Sequence, residues 1–168
     1  EGVTLNNIGL TYSNLGQYMQ ALESYQKSMD IRRELGVRAG EGVTLNNIGG
    51  IYDNLGQHMQ ALESYKQALV ISREIGRRSA EGVTLNNIGI VYHYLGQYPQ
   101  ALEFYEQSLV IRREIGDRAG KGVILNNIGG IYDDLGQYQQ ALEYYEQALV
   151  ISREIGDSPG EGGTLKNI

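Results

Sequence analysis

The 168-residue sequence has no cysteine, which excludes disulfide staples, thiolate nucleophiles and zinc–thiolate centres and leaves the redox compartment unread. It has no apolar run near the roughly 18 residues that span a bilayer, and its first residues form neither a basic n-region nor an apolar h-region. No membrane partner is expected. Positive charge is also short, with 14 Lys and Arg against 20 Asp and Glu for a formal net charge of -6. Scattered cations in an acidic chain give no footprint for a phosphate backbone, so nucleic acid is not an expected partner.

Catalytic groupings are missing too. There is no G-x-x-x-x-G-K-[ST] loop and no supported Ser-His-Asp set. His58 stands where Tyr18, Tyr98 and Tyr138 stand and reads as a packing variant. His93, between Asp53 and Asp133 in the same register, invites a metal. Equivalent residues of stacked hairpins, however, lie at least about 8 to 10 Å apart, whereas the ligands of one ion converge within about 2.0 to 2.6 Å of it. The soluble cytoplasm is the default location, and no enzyme activity, metal or cofactor is expected.

Repetition is what the chain has instead. A shift of 40 residues superimposes it on itself, giving one array over residues 1–168: repeats 1–40, 41–80, 81–120 and 121–160, and the start of a fifth at 161–168. Leu5, Ile8, Tyr12 and Leu15 recur at spacings of three and four and mark one stripe of a helix, here helix A. Gly16 ends it, because glycine takes positive φ without penalty. Tyr18, Ala21, Leu22, Tyr25, Ser28 and Met29 then carry helix B from about Tyr18 to Leu35, with Pro99 tolerated in the first turn of the third copy. Gly36 ends helix B, and Asp117 is placed as an N-cap for the next helix A. A hairpin of this kind cannot bury both stripes alone, so neighbours must stack, with small residues such as Gly9 and Ala21 allowing close approach. The expected fold class is all-α, an α-solenoid of stacked antiparallel helical hairpins.

Ile8-Gly9, Tyr12, Gly16, Tyr18, Ala21, Tyr25 and Ser28, with Ala68 in the second copy, resemble the tetratricopeptide signature, and all four repeats match it. Two departures stand out. Leu5, Leu45, Leu85 and Leu125 replace the large aromatic usual near the start of helix A, and Arg33, Arg73, Arg113 and Arg153 replace the proline that usually ends helix B. The 40-residue repeat thus resembles the long-repeat subgroup found in kinesin light chains, polarity adaptors and many bacterial signalling proteins. The resemblance implies a right-handed superhelix whose concave groove is lined by helix A, and a protein or peptide partner in that groove.

A helical wheel centred on the Leu5 stripe puts Val3, Asn6, Asn7, Leu10, Ser13 and Asn14 opposite it. Stacking then makes two amide rows, Asn6, Asn46, Asn86, Asn126 and Asn7, Asn47, Asn87, Asn127. A carboxamide both donates and accepts, so it can hold an extended peptide backbone without demanding a side chain. The family resemblance implies that role for the Asn7 row, while either row also suits bonding between helices. Leu10, Gly50, Ile90 and Gly130 alternate bulk with glycine, which suits a ligand notch or close helix packing. Ser13, Asp53, His93 and Asp133, followed by Asn14, Asn54, Tyr94 and Asp134, make the later groove mildly acidic. The four full repeats offer no cation there, Lys166 being the exception, so neutral or basic segments are expected rather than carboxylate-terminated ones. The arginines of late helix B, among them Arg32, Arg73, Arg112 and Arg153, alternate with glutamates and read as a solvated face.

Neither end carries a capping repeat, so the sequence reads as a segment of a longer signalling or regulatory protein. The expected function is a protein-interaction scaffold that holds an extended or helical peptide in the groove. The alternative is a spacer or self-assembling array, a homo-oligomer stacked end to end through uncapped faces.

Overall fold

The computed structural model describes residues 1–167, and Ile168, in the predicted fifth helix A, lies outside the described residues. Among the described residues the chain is all-helical, with nine helices: α1 (Gly2–Asn14), α2 (Tyr18–Glu34), α3 (Arg38–Asn54), α4 (His58–Glu74), α5 (Arg78–Tyr94), α6 (Tyr98–Glu114), α7 (Arg118–Asp134), α8 (Tyr138–Ile155) and α9 (Ser158–Asn167). Odd helices are the expected helix A and even ones helix B. None is long and apolar enough to cross a membrane.

Glycine sets the helix ends as the sequence indicates. Gly16 takes φ 70°, its N–H donates to the Ser13 carbonyl at 2.9 Å, and the Gln17 N–H reaches back to Tyr12 at 2.8 Å. This paired closure satisfies carbonyls that a helix end would otherwise leave orphaned. It recurs at 20-residue steps through Gly156. Asp117 caps α7 as expected, its Oδ1 accepting from the Gly120 N–H at 2.8 Å.

Two compact units, Glu1–Val91 and Tyr92–Ile168, divide the chain within α5. In the first, Ala21, Tyr25 and Ile51 form a buried cluster with Tyr12, Tyr18, Leu22 and Ile48 packed against it. Met29, Leu45, Ala68 and Ile71 form another. Full burial of an aliphatic side chain such as Ile51 contributes about 1.5–3 kcal/mol. The tyrosine of helix B lies flat on a glycine of helix A: a Cβ added at Gly49 would sit 2.6 Å from Tyr65 Cε1. The second unit repeats the device with Gly129 under Tyr145 and adds stacked rings, Tyr92 on Phe104 and Tyr132 on Tyr144, each with centroids 5.4 Å apart.

The buried face of helix A keeps the start of the expected stripe, with Leu45, Leu85, Ile88, Leu125 and Ile128 buried, but is wider than it and leaves the stripe's last leucine exposed. In α3 it comprises Glu41, Thr44, Leu45, Gly49 and Ile51, while Leu55 is 38% exposed. Ile51, Val91 and Ile131, which the stripe passes over, are at most 1% exposed. The reason is that α3 packs on its own hairpin partner α4 and also on α2 and α1. A helix covered from several sides buries a wider arc than an amphipathic surface helix.

Candidate functional site

The paired asparagines have different surroundings. In the first unit Asn6 is buried, and its Oδ1 accepts from Thr44 Oγ1 at 3.2 Å and from Asn47 Nδ2 at 3.2 Å. One repeat on, Asn46 Oδ1 accepts from Thr84 Oγ1 at 3.2 Å and Asn87 Nδ2 at 3.3 Å. Asn6 and Asn46 therefore latch the next helix A, and the latch in turn fixes the amides of Asn47 and Asn87. In the second unit Asn126 Oδ1 accepts from Asn167 Nδ2 at 3.2 Å. Asn7 is exposed, and Asn47, Asn86, Asn87 and Asn127 are half-buried. With one N–H committed to Asn6, Asn47 keeps a second N–H and its carbonyl oxygen at the half-exposed surface.

Thr44 and Thr84 are the inter-repeat bonding residues that the wheel missed. Each is buried and tied to its own helix, Thr44 Oγ1 lying 3.1 Å from the Gly40 carbonyl and Thr84 Oγ1 3.0 Å from that of Ala80. The available signal was their place three residues, about one helical turn, before Asn47 and Asn87.

Leu10 is 47% exposed, and Gly50, Ile90 and Gly130 are half-buried. Close packing does not demand glycine at the even positions. A Cβ at Gly50 would meet only Tyr65 Oη, at 3.7 Å, and one at Gly130 would meet His93 Cε1 at 3.6 Å and Tyr145 Oη at 3.7 Å. These are ordinary contacts, unlike the overlap at Gly49. Burial first, and Asp53 second, push the Tyr65 phenol up, so beneath Gly50 it remains a neutral hydroxyl.

Of the acidic residues expected to line the groove, Asp53 faces His58 of its own hairpin, Oδ1 to Nδ1 at 3.0 Å, and Asp133 is exposed. His93 Nε2 lies 2.7 Å from Asp134 Oδ2 and packs edge-on to Tyr98. Among the described residues no three His, Cys, Asp or Glu side chains gather as metal ligands would.

The late helix B arginines are not one solvated face, which corrects the sequence reading. Arg32 and Arg112 are buried, at 7% and 8% exposed. Arg32 donates to the Gly40 carbonyl and to Thr44 Oγ1, and Arg112 Nη1 lies 2.5 Å from Asp117 Oδ2. Glycine at 40 and 120 makes room, since a Cβ there would come within 2.8 Å and 2.7 Å of the two arginine Cδ atoms. Arg73, with Arg78, instead grips the buried Glu81, at 2.9 Å and 2.6 Å. Burial pushes the Glu81 carboxyl up, but hydrogen bonds and charge from the two arginines outweigh it and leave it below its ordinary value.

Where helix B carries Ser72 or Ser152 in place of the buried arginine, a notch stands open. The first, about 190 Å³, is walled by Gly42, Val43, Asn46, Asn47, Ser72 and Val83 among others. The second, about 150 Å³, is walled by Gly122, Val123, Asn126, Ser152, Asp157 and Gly160 among others. The alternation of Arg32, Ser72, Arg112 and Ser152 was the sequence signal for both.

No curated protein sequence matches this one. A family profile described as Tetratricopeptide repeat matches residues 1–74 and 80–154. Among solved structures, aspartyl phosphate phosphatase F from Bacillus subtilis superposes with a TM-score of 0.92 at 17% identity, over 97% of this chain and 43% of that one. BtubC from P. vanneervenii gives 0.82 at 21% identity, over 93% of this chain and 65% of that one. The nearly identical TPR-like repeats of a Podosopora anserina kinesin light chain candidate give 0.77 at 19%, over 98% and 81%. At these identities the likeness is one of fold, and this chain spans less than two thirds of the first two proteins.

Proposed function

The chain belongs to the tetratricopeptide repeat family, and from that premise we propose that it is a cytoplasmic protein-interaction scaffold holding an extended peptide along its helix A asparagines. The observation that carries this reading is the division of labour at Asn6 with Asn47 and at Asn46 with Asn87. There Asn6 and Asn46 are spent between repeats, whereas Asn47 is held by the latch with one N–H and its carbonyl oxygen left over, and Asn87, whose oxygen takes a long 3.5 Å contact from Asn86, keeps one N–H. The combination at Asn47 matches the N–H and C=O of a peptide bond and asks nothing of its side chain. Pre-orienting the amide lowers the entropy lost on binding. Gly50 and Gly130 support the same reading, for packing leaves room for a side chain at both and helix propensity favours one. Asp53 in the first unit, and Asp133 and Asp134 in the second, bias the helix A surface of each toward neutral or basic segments.

A peptide-array screen with the wild type beside an Asn47→Ala/Asn87→Ala variant tests the proposal. Each substitution removes one inter-repeat hydrogen bond, so a stability loss of about 0.5–1.5 kcal/mol apiece is expected, with the fold retained by circular dichroism. Peptides captured by the wild type and lost by the folded variant support the groove. Equal capture by both, or none by either, refutes it and favours the spacer reading.

A further inference from the structure

The notch at Ser152 has a twin one repeat earlier whose occupant is known. In that twin, Arg112 leaves helix B, passes over Gly120, and sets Nη1 2.5 Å from Asp117 Oδ2. The fourth repeat keeps every part of this receptor except the arginine. Asp157 stands where Asp117 stands, its Oδ1 accepting from the Gly160 N–H at 3.1 Å as Asp117 accepts from Gly120. Gly160 stands where Gly120 stands, and Ser152 where Arg112 stands. Asp157 forms part of the notch wall, and its other oxygen, Oδ2, crowds the space that a Cβ on Gly160 would need. Among the described residues no cation pairs with it.

We propose that this notch receives an arginine side chain from the bound peptide, in the position that Arg112 takes in the preceding repeat. The inference rests on the groove reading, because Asn126, of the latch row, forms part of the same wall. The arginine methylenes lie along Ile151 and Gly122, and its planar fork suits a carboxylate better than a lysine would. A net charge of -6 attracts such a segment.

The notch at Ser72 is the internal control. Arg77 replaces the aspartate there, and Ala80 replaces the glycine. A cation is repelled, and a methyl group stands on the path that arginine takes in the twin. That notch suits a neutral apolar side chain.

The test uses the peptide acetyl-Gly-Ser-Arg-Ser-Gly-amide, its citrulline counterpart, and amide-resolved NMR of the whole chain. Citrulline keeps the shape and loses the charge. The arginine peptide is expected to shift the Gly160 and Thr164 amides saturably and to bind about tenfold more tightly than citrulline, the factor that a charge-assisted hydrogen bond supplies. Asp157→Asn keeps a good N-cap and should remove that preference. Ser152→Arg should fold, since it copies the third repeat, and should fill the notch and abolish the shifts. Equal binding of the two peptides, an unchanged preference in Asp157→Asn, or shifts at Ala80 matching those at Gly160 would overturn the inference. Shifts at the Asn47 and Asn87 amides without any at Gly160 would overturn it while leaving the groove reading intact. No shift at either place, up to the solubility of the peptide, also overturns it, and the groove is then judged by the array screen alone.

Discussion

Adjacent glycines in α3 should respond to the same substitution with opposite signs. At Gly49 an added methyl would lie 2.6 Å from Tyr65 Cε1, 2.7 Å from Cδ1 and 3.0 Å from Cζ, where relaxed carbon contacts need about 3.5–4.0 Å. Tyr65 is 4% exposed and has nowhere free to go. Overpacking of this kind costs about 1–3 kcal/mol, and three overlapped ring atoms put the cost at the upper end. Alanine returns about 1 kcal/mol of helix propensity, so Gly49→Ala should lose about 2 kcal/mol. At Gly50 the methyl meets only Tyr65 Oη at 3.7 Å, and the propensity gain of about 1 kcal/mol stands alone. The two variants should differ by about 3 kcal/mol, or about 6–12 °C in melting temperature for a chain of this size. Urea unfolding followed at 222 nm would read it, with the slope checked for constancy so that midpoints can be compared. In a Tyr65→Ala background the Gly49→Ala penalty should vanish, which isolates the contact. If Gly49→Ala proves as stable as Gly50→Ala, the close packing of ring on backbone is wrong.

Two further variants probe the polar interior. Glu81 is held below its ordinary value, so it contributes stability above the unfolded carboxylate value of about 4.3 and loses it as pH falls through the native value. Glu81→Gln should therefore lower stability at neutral pH by about 1 kcal/mol, allowing for the water around Arg73 and Arg78, with the gap to wild type closing toward pH 3 in thermal melts. Tyr105 buries a hydroxyl that has no hydrogen-bond partner among the described residues. Since an unsatisfied buried group costs about 1–3 kcal/mol, Tyr105→Phe should hold or raise the melting temperature, whereas a clear loss would reveal a partner.

Periodicity made the hairpins legible because a 40-residue repeat leaves few ways to bury its apolar residues. Gly16 and Asp117 announced their roles through local backbone chemistry, and both are seen. What a single wheel could not register is that helix A is covered from several sides. Ile51 therefore looked peripheral and is 1% exposed, and Asn6 looked like groove and is 8% exposed, accepting from the next repeat. Charge patterning failed at Arg32 and Arg112 for a related reason. An arginine can be held beside the Gly40 carbonyl or Asp117 as well as on a solvated face, and only comparison with Ser72 and Ser152, one repeat on from each, separates the two cases. The alternation of Leu10, Gly50, Ile90 and Gly130 was visible from the start, but that close packing does not require the glycines emerged only from the distances around Gly50 and Gly130.

The asparagine side-chain resonances test the central claim most directly. With a peptide captured in the array screen, the Nδ2 protons of Asn47 and Asn87 should shift on titration, and those of the latches Asn6 and Asn46 should stay nearly fixed. Shifts confined to helix B, or equal movement in both rows, would contradict the division between latch and reader on which the proposed function stands.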